Sequence, residues 1–292
     1  MNPVRILFWP YHKLNQTLVK IPFFDRLRTE LKEIRKANLT KTLYFNFKMF
    51  PFHIARKLPV WIYGKVKFYS LEGEIRFNCS IRNRLITIGK TTDYFGARYI
   101  STIGIHRGGI WIINGACFVS EGVLIDIKGT LVTGYLTALG TASKIRCHEY
   151  IELGDGVGIT EECQVFDTIF HFIQNVNTGE IRRMKSKVII GDLSWVGNRT
   201  TISKGCILPP YTIVCSNSLV NRDFSGVTDQ CPMIGGIPAR LIGSGNHRIY
   251  NFILEKELWD KFGKNPDLES LKVKIEPLDK DLDLYQRNPE NW

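Results

Sequence analysis

His171 is the residue of this chain best placed for acid–base chemistry. It lies in a hydrophilic stretch, residues 170–187, that interrupts a regular repeat of aliphatic residues. Segments that project from a rigid scaffold are common positions for catalytic groups. Because imidazole has a pKa of about 6.5, it can accept and return a proton near neutral pH. Asp167, four residues earlier, is expected to orient the imidazole or to hold a hydroxyl group of a substrate.

The sequence on the C-terminal side of this stretch repeats with a period of six residues. Aliphatic residues occupy every sixth position, and a small residue follows each of the first five by four positions. The aliphatic residues are Ile190, Val196, Ile202, Leu208, Val214 and Val220, and the small residues are Ser194, Thr200, Cys206, Thr212 and Ser218. An amphipathic helix would need spacings of three and four, and a hairpin sheet would need strict alternation. The period therefore predicts a solenoid of very short strands that stack coil on coil.

The same period recurs upstream with a change of phase. The earlier runs are Ile112, Phe118 and Leu124, then Leu139, Ile145 and Ile151, then Leu153, Ile159 and Val165. Between Ile151 and Leu153 the phase slips by two residues, which we attribute to a bulge or a small insertion. We predict that the solenoid occupies residues 64–243, with the excursion at 170–187. Residues 1–63 are predicted to be a basic, aromatic-rich helical segment, and residues 244–292 a C-terminal helix and tail.

Three segments resemble the final coils of the hexapeptide-repeat acyltransferases: IIGDLSWVGNRTTISKGCIL, IVCSNSLVNRD and MIGGIPARLIG. The resemblance covers roughly residues 75 to 243. It implies a mainly β fold, a left-handed parallel β-helix, a homotrimer and transfer of an acyl group from acetyl-CoA without a metal. The chain is most similar to bacterial sugar O-acetyltransferases of capsule and surface-polysaccharide pathways. The implied acceptor is a sugar hydroxyl of a glycan or polysaccharide precursor, such as a lipid-linked saccharide.

The resemblance also implies roles for individual residues. The segment from Asp167 to His171 matches the acid-x-x-x-His segment of related sugar acetyltransferases, in which the histidine is the general base for direct transfer. Arg240 matches a basic position near the nucleotide end of CoA, where the planar guanidinium suits a phosphate. In relatives the cofactor cleft lies between subunits. The positions that match its lining are Trp195, Gly197, Asn198, Ser216, Asn221, Arg222 and Arg240.

Several other functions are compatible with parts of the pattern. N-acetylation of an amino sugar and acylation of serine would use the same base and cleft, and a non-catalytic β-helix scaffold would use the coils for binding alone. A zinc site of the γ-carbonic anhydrase type needs three histidines, but the chain lacks the close histidine pair of such sites. A fused nucleotidyltransferase needs a glycine-rich phosphate loop, which residues 1–75 lack.

The remaining histidines and the cysteines have simpler interpretations. His12, His53 and His247 lie outside the repeat, whereas His106 and His148 lie within or beside it without matching the family's catalytic segment. The seven cysteines show no paired metal spacing. They are expected to be reduced thiols, several of them in the core.

Positive charge is concentrated at the N-terminal end of the chain. The whole chain has a formal net charge of +11, of which residues 1–60 contribute +9. These residues include the aromatic-rich run TLYFNFKMFPFHIARKLPVWIYG. One interpretation is a helical cap over the open end of the solenoid; the other is contact with an anionic membrane surface. No nucleic-acid motif accompanies the charge. The start of the chain lacks signal-peptide features, so we expect a cytoplasmic protein, with the inner face of the membrane as its alternative site.

Overall fold

The computed structural model describes residues 22–91 and 99–273, and its centre is a parallel β-helix. Each coil of the chain contributes one strand to each of three sheets. The first sheet contains β1 (Val60–Ile62), β4 (Ile86–Lys90), β7 (Cys117–Ser120), β10 (Thr137–Leu139), β13 (Gly158–Ile159), β16 (Trp195–Val196), β19 (Ile213–Val214), β21 (Met233–Gly236) and β22 (Ala239–Gly243). All neighbours in this sheet are parallel except β21 and β22, which form an antiparallel pair.

The second and third sheets complete the triangle, and all their described pairings are parallel. The second sheet contains β2 (Lys65–Leu71), β5 (Ile100–Ile105), β8 (Leu124–Ile127), β11 (Lys144–Cys147), β14 (Gln164–Phe166), β17 (Thr201–Ile202) and β20 (Leu219–Val220). The third contains β3 (Glu74–Phe77), β6 (Ile110–Ile113), β9 (Thr130–Thr133), β12 (Tyr150–Leu153), β15 (Val188–Ile190) and β18 (Ile207–Leu208). The mainly β class and the short-strand parallel solenoid are thus confirmed. We call the turn from the first to the second sheet the first corner, and the turn from the second to the third sheet the second corner.

The coils before the excursion are longer than those after it. Paired residues in adjacent coils are 20 positions apart from β6 to β14, as in Leu124 and Lys144, but 18 apart from β15 to β20, as in Thr201 and Leu219. The two additional residues lie at the second corner, where Leu153 is eight positions after Ile145, whereas their downstream counterparts Ile202 and Leu208 are six positions apart. The phase slip at Ile151 is therefore not a β-bulge, because β11 and β12 keep their register, but a two-residue insertion relative to the downstream coil. It is the regular consequence of a 20-residue coil.

The core is a column of aliphatic side chains, as the period of six predicts. All six aliphatic residues from Ile190 to Val220 are at most 1% exposed. The five small residues are also buried, and the hydroxyl groups of the four that are serine or threonine donate to main-chain carbonyls, as those of Thr200 and Ser218 do to Cys215. These bonds remove the cost of burying a hydroxyl group.

The N-terminal helices cap the first coil. They are α1 (Pro22–Lys36), α2 (Leu39–Met49) and α3 (Phe52–Ala55), and the first coil begins at Val60, four residues before the predicted boundary. Phe45 of α2 is fully buried in the core cluster. Asn46, also buried, bonds through its side chain to both the N–H and the carbonyl of Val60. The inner face of α2 therefore closes the open end of the core, in agreement with the cap interpretation.

The last coil is closed by the hairpin of β21 and β22, and α4 (Phe252–Lys264) follows. Tyr250 anchors the connection, because its buried hydroxyl donates to the carbonyl of Leu193. None of the helices in the described ranges has the length and apolarity needed to cross a membrane. Our expectations for the first 21 residues, including His12 and the missing signal peptide, and for the tail after residue 273 lie outside the described residues.

Candidate functional site

The excursion leaves the second corner as a narrow tongue. It departs after β14 and returns at β15, close to the predicted limits of 170–187. Antiparallel bridges join Thr168 to Lys185 at its base and Gln174 to Ile181 farther out. Several apolar side chains on the tongue are exposed, including Phe172 at 69% and Val176 at 92%. Exposed apolar groups on a projecting segment are suited to contact with another molecule.

His171 lies on the exposed surface at the root of the tongue. Its backbone N–H donates to the carbonyl of Ile169, and the preceding residue, Phe170, has a positive φ of 63°. Within the part of the chain that the structure describes, the imidazole itself makes no hydrogen bond. The ring is therefore accessible to substrate, but in a single chain no neighbouring group fixes its orientation.

Asp167 does not have the surroundings that the sequence predicted for it. Its carboxylate is fully buried and accepts backbone N–H groups of His148, Glu149 and Tyr150 at 2.8, 2.6 and 2.9 Å. None of these bonds involves His171. A carboxylate that accepts three main-chain donors fixes the path of the turn that supplies them. The geometry makes Asp167 the support of the second corner and of the base of the tongue, not the partner of the imidazole.

A second imidazole cluster lies on the same side of the helix. Asp126 points outward from β8, and its two carboxylate oxygens face the Nε2 atoms of His106 at 2.8 Å and His148 at 3.1 Å. Both histidines come from the second corner, in coils that flank that of Asp126. The three side chains are partly covered, with His148 10% and His106 24% exposed.

The two histidines control the charge of Asp126. Burial by itself raises the pKa of this carboxyl group, but hydrogen bonds from His148 and His106 outweigh burial and lower the pKa below its usual value. The cluster also touches the tongue, since the rings of His148 and Phe170 meet edge to face with centroids 5.4 Å apart. The imidazole cluster is therefore contiguous with the segment that carries His171.

Three of the seven residues expected to bind the cofactor, Gly197, Asn198 and Ser216, lie at the first corner of the last coils. Gly197 and Ser216 are in contact there, because a Cβ on Gly197 would lie 2.7 Å from the Ser216 nitrogen. Asn198 accepts the N–H of Glu161 and, through its carbonyl, that of Asn217. Trp195 lies half-buried on the outer side of the first sheet, and Arg240 is exposed on β22.

The structure divides the predicted site between two corners. Asn221 and Arg222 follow β20 and are exposed at the second corner, as His171 is, whereas the residues around Gly197 lie at the first corner. Two corners of one triangular coil are separated by a sheet, so a single chain does not bring the whole predicted set together.

A shallow cavity of about 650 Å³ lies elsewhere, lined by Asn78, Asn114, Tyr135 and Asp155. These residues lie where the third sheet returns to the first. Burial and the nearby Asp192 raise the pKa of Asp155, while its carboxylate accepts the N–H of Tyr135 at 2.6 Å. We assign this cavity no part in the chemistry, because it contains neither His171 nor the cofactor positions.

Sequence analysis missed the link between Asp126 and the two histidines. The available signal was a spacing near one coil, since Asp126 is 20 positions after His106 and 22 before His148. A coil length of 18, suggested by the downstream hexads, hid this relationship.

Replacing Asp167 tests its structural role. We expect Asp167→Ala to lower the free energy of unfolding by at least about 2 kcal/mol, because buried N–H groups lose their acceptor at a cost of about 1–3 kcal/mol each. Urea unfolding of the purified variants measures this change. Asp223→Ala is the matched control, since Asp223 is exposed and caps a surface turn at Ser225. Equal stabilities of the two variants would contradict the assignment.

The chain is similar to one curated protein over a short segment and to several solved structures at low identity. The comparison with protein-family models finds no match. The sequence is 33% identical over 76 residues to the putative lipopolysaccharide biosynthesis O-acetyl transferase WbbJ of Escherichia coli K12, and the match covers 26% of this chain and 33% of that protein. The chain thus spans about a third of the length of this relative.

Two solved structures are similar at lower identity. The polysialic-acid-specific acetyltransferase NeuO is 15% identical, with a TM-score of 0.45 and coverage of 74% of this chain and 91% of that chain. AntD, an N-acyltransferase from Bacillus cereus in complex with dTDP and coenzyme A, is 15% identical, with a TM-score of 0.40 and coverage of 69% and 88%. The sequence match to an O-acetyl transferase, together with the hexapeptide coils of the structure itself, confirms the resemblance of this chain to the hexapeptide-repeat acyltransferases.

Proposed function

We propose that the protein is an acetyl-CoA-dependent O-acetyltransferase that modifies a sugar hydroxyl of a glycan or polysaccharide precursor. The observation that carries this proposal is the position of His171, which is exposed at the root of a tongue that projects from an otherwise regular β-helix. The local sequence match to a lipopolysaccharide O-acetyl transferase supports the choice of reaction and acceptor.

In the proposed reaction, the imidazole of His171 accepts the proton of the sugar hydroxyl as the oxygen attacks the thioester carbonyl. The bond from carbon to sulfur then breaks, and the imidazolium returns the proton to the leaving CoA sulfur. The products are the sugar ester and free CoA. Main-chain N–H groups along the coil edge are suited to stabilising the oxyanion that forms between these steps.

An amine acceptor would require the same base and the same donor. N-acetylation of an amino sugar is therefore the second candidate. The similarity to the N-acyltransferase AntD concerns the architecture and does not favour this reaction. Acylation of serine and a purely binding scaffold remain weaker candidates. An acceptor panel containing matched hydroxyl and amino sugars distinguishes the two transferase reactions by the linkage formed.

We also propose that the active site forms between copies of the chain in a homotrimer. The division of the predicted residues between two corners supports this arrangement, because a neighbouring copy can bring its first corner to the second corner of this chain. The exposed apolar side chains of the tongue, such as Phe172 and Val176, provide a surface for that contact. CoA would then lie against Trp195, Asn198 and Arg240 of one copy and face His171 of the next.

Substitution of His171 tests the base. We expect His171→Ala to reduce the rate of free-thiol release from acetyl-CoA by about 10²–10⁴-fold in the presence of an acceptor glycan, since this is the usual contribution of a general base. The assay follows thiol release with bacterial surface glycans as acceptors. His53→Ala provides the control, because His53 is also exposed but lies on α3. Equal rates for His171→Ala and the unmodified protein would refute the assignment.

Mixed oligomers test the site between copies. We expect the His171→Ala variant and the double variant Trp195→Ala with Arg240→Ala each to have low transferase activity when expressed alone. Co-expression with two different affinity tags and purification through both tags should give oligomers whose activity exceeds that of either parent, because some interfaces join two intact halves. Mixed oligomers no more active than the parents would show that each chain carries its whole site.

The outer face of the N-terminal cap supports a peripheral membrane contact. Phe47 and Phe52 are 48% and 71% exposed, and their rings lie 6.1 Å apart. Lys48 is exposed on α2, and Arg56 and Lys57 are exposed directly after α3. Exposed aromatic side chains with basic neighbours suit an anionic lipid surface. We propose that this face holds the enzyme at the inner surface of the membrane, beside a lipid-linked acceptor.

Removing these aromatic side chains tests the contact. We expect Phe47→Ser with Phe52→Ser to lower binding to vesicles of phosphatidylglycerol and phosphatidylcholine while leaving the thermal unfolding midpoint nearly unchanged, since both rings are exposed. Co-sedimentation measures the bound fraction. Trp259→Ser is the matched control because Trp259 is 76% exposed on α4. Unaltered vesicle binding by the double variant would leave the capping role as the function of these helices.

A further inference from the structure

The residue before the proposed base has an unusual backbone conformation. Phe170 has a positive φ of 63°, and the carbonyl of Ile169 accepts the N–H of His171 across it at 2.8 Å. A hydrogen bond between residues i and i+2 around a positive φ defines the rarer, strained form of the γ-turn. Left-handed residues recur at the corners of the coils, as Glu162 and Arg199 do, but Phe170 lies outside the coils. Strained turns of this kind persist only where their surroundings hold them.

The ring of Phe170 is packed against three side chains of the last long coils. It meets the ring of His148 edge to face with centroids 5.4 Å apart, and the ring of Phe166 at a steep angle with centroids 6.0 Å apart. The guanidinium carbon of Arg146 lies 5.3 Å from the Phe170 ring centroid. Edge-to-face aromatic pairs and cations over a ring both attract. We call these four residues the Phe170 cluster.

The coils fix the other three members of the cluster. Arg146 and Phe166 are direct partners on β11 and β14, so their side chains lie together on the outward face of the second sheet. The Nε2 atom of His148 lies 3.1 Å from the carboxylate of Asp126, and its backbone N–H donates to Asp167. The cluster therefore has a rigid base, and its fourth member alone belongs to the tongue.

The position of the His171 imidazole follows from the main chain that carries it. Among the described residues no hydrogen bond holds the ring itself, so the γ-turn at Phe170 decides where the side chain begins. A general base must come within hydrogen-bond reach of the proton that it accepts. A displacement of about 1 Å at a reacting group can cost about 10²-fold in rate. Loosening the turn would therefore slow the reaction without altering the imidazole.

We propose that Phe170 is a positioning residue for His171. Its ring, held by the cluster, keeps the γ-turn closed and thereby places the imidazole before the acceptor arrives. This inference rests on the proposed function, because it takes His171 to be the general base. The role assigned to Phe170 requires no contact with the substrate, so its removal should change kcat and not the binding of acetyl-CoA.

Three substitutions at one position separate the ring from the turn. Phe170→Ala and Phe170→Gly both remove the ring, and glycine adopts a positive φ without strain. We expect each to lower kcat about 10–100-fold while KM for acetyl-CoA stays within about twofold. Phe170→Tyr keeps the ring and should retain kcat within about twofold. The assay follows thiol release from acetyl-CoA with the bacterial surface glycan that gives the unmodified protein its highest rate.

Tyr69→Ala is the matched control for loss of an aromatic ring. The Tyr69 ring meets that of His106, the other histidine bonded to Asp126, edge to face at 5.8 Å, and it is 70% exposed. This variant should keep its kcat and KM. A normal kcat for Phe170→Ala or Phe170→Gly, or an equal loss in Tyr69→Ala, would overturn the positioning role. Phe170→Leu replaces Phe170→Ala if the alanine variant lacks a cooperative thermal transition.

Amide hydrogen exchange in residues 167–173 tests the turn without any substrate. We expect faster exchange in the two variants that lack the ring, because the His171 N–H loses its acceptor when the turn opens. Phe170→Tyr and Tyr69→Ala should exchange at the rate of the unmodified protein. Unchanged exchange in Phe170→Ala and Phe170→Gly would overturn the inference. Faster exchange, together with full transferase activity of His171→Ala, would instead refute the proposed base and leave the support of the turn by Phe170 standing.

Discussion

The fold depends on the stacking of short strands around a single column of aliphatic side chains. One coil alone cannot bury its inward-facing residues, so each coil is stable only against its neighbours. Parallel main-chain hydrogen bonds hold successive coils in register and make equivalent positions coincide along the stack. Any residue at a corner therefore has a fixed neighbour one coil above and one below. Groups distant in sequence, such as His106, Asp126 and His148, meet for this reason alone.

The second corner is where this regularity is modified. The coils before the tongue are longer at this corner, which also carries the two histidines that bond to Asp126. The tongue leaves at the same corner, and the buried carboxylate of Asp167 secures its base by accepting three main-chain donors. A rigid scaffold thus supports one exposed imidazole while a neighbouring pair of imidazoles is held by a carboxylate. The same side of the molecule therefore carries an exposed imidazole, that of His171, and a hydrogen-bonded cluster, that of His106, Asp126 and His148.

The period of six predicted most of the fold because it reflects the geometry of the coil directly. Each inward-facing position must hold an aliphatic or a small residue, so the pattern from Ile190 to Val220 is compatible with few folds other than this solenoid. The boundaries of the tongue followed from the same rule, since a segment outside the core has no such requirement. The role of Asp167 was different: its spacing from His171 suggested a pair, but burial and three backbone donors decide its environment. The burial of Asp167 and its three backbone donors depend on the path of the chain at the corner, which the spacing between Asp167 and His171 does not reveal.

The cluster of Asp126 with His106 and His148 lay beyond sequence reasoning for a related reason. Coil length determines which residues stack, and 18 was the length that the clearest hexads displayed. A difference of two residues per coil changes every alignment across the stack.

The reversal of β22 has a consequence for how the protein behaves in concentrated solution. A stack of parallel strands ends in unpaired N–H and carbonyl groups, and such an end is a template on which another molecule can continue the sheet. At one end α2 lies over the core, and at the other the chain folds back against β21 in the opposite direction. The antiparallel strand cannot be followed by another coil in the same register. The terminal hairpin thereby discourages the end-to-end growth of one solenoid upon another along this sheet.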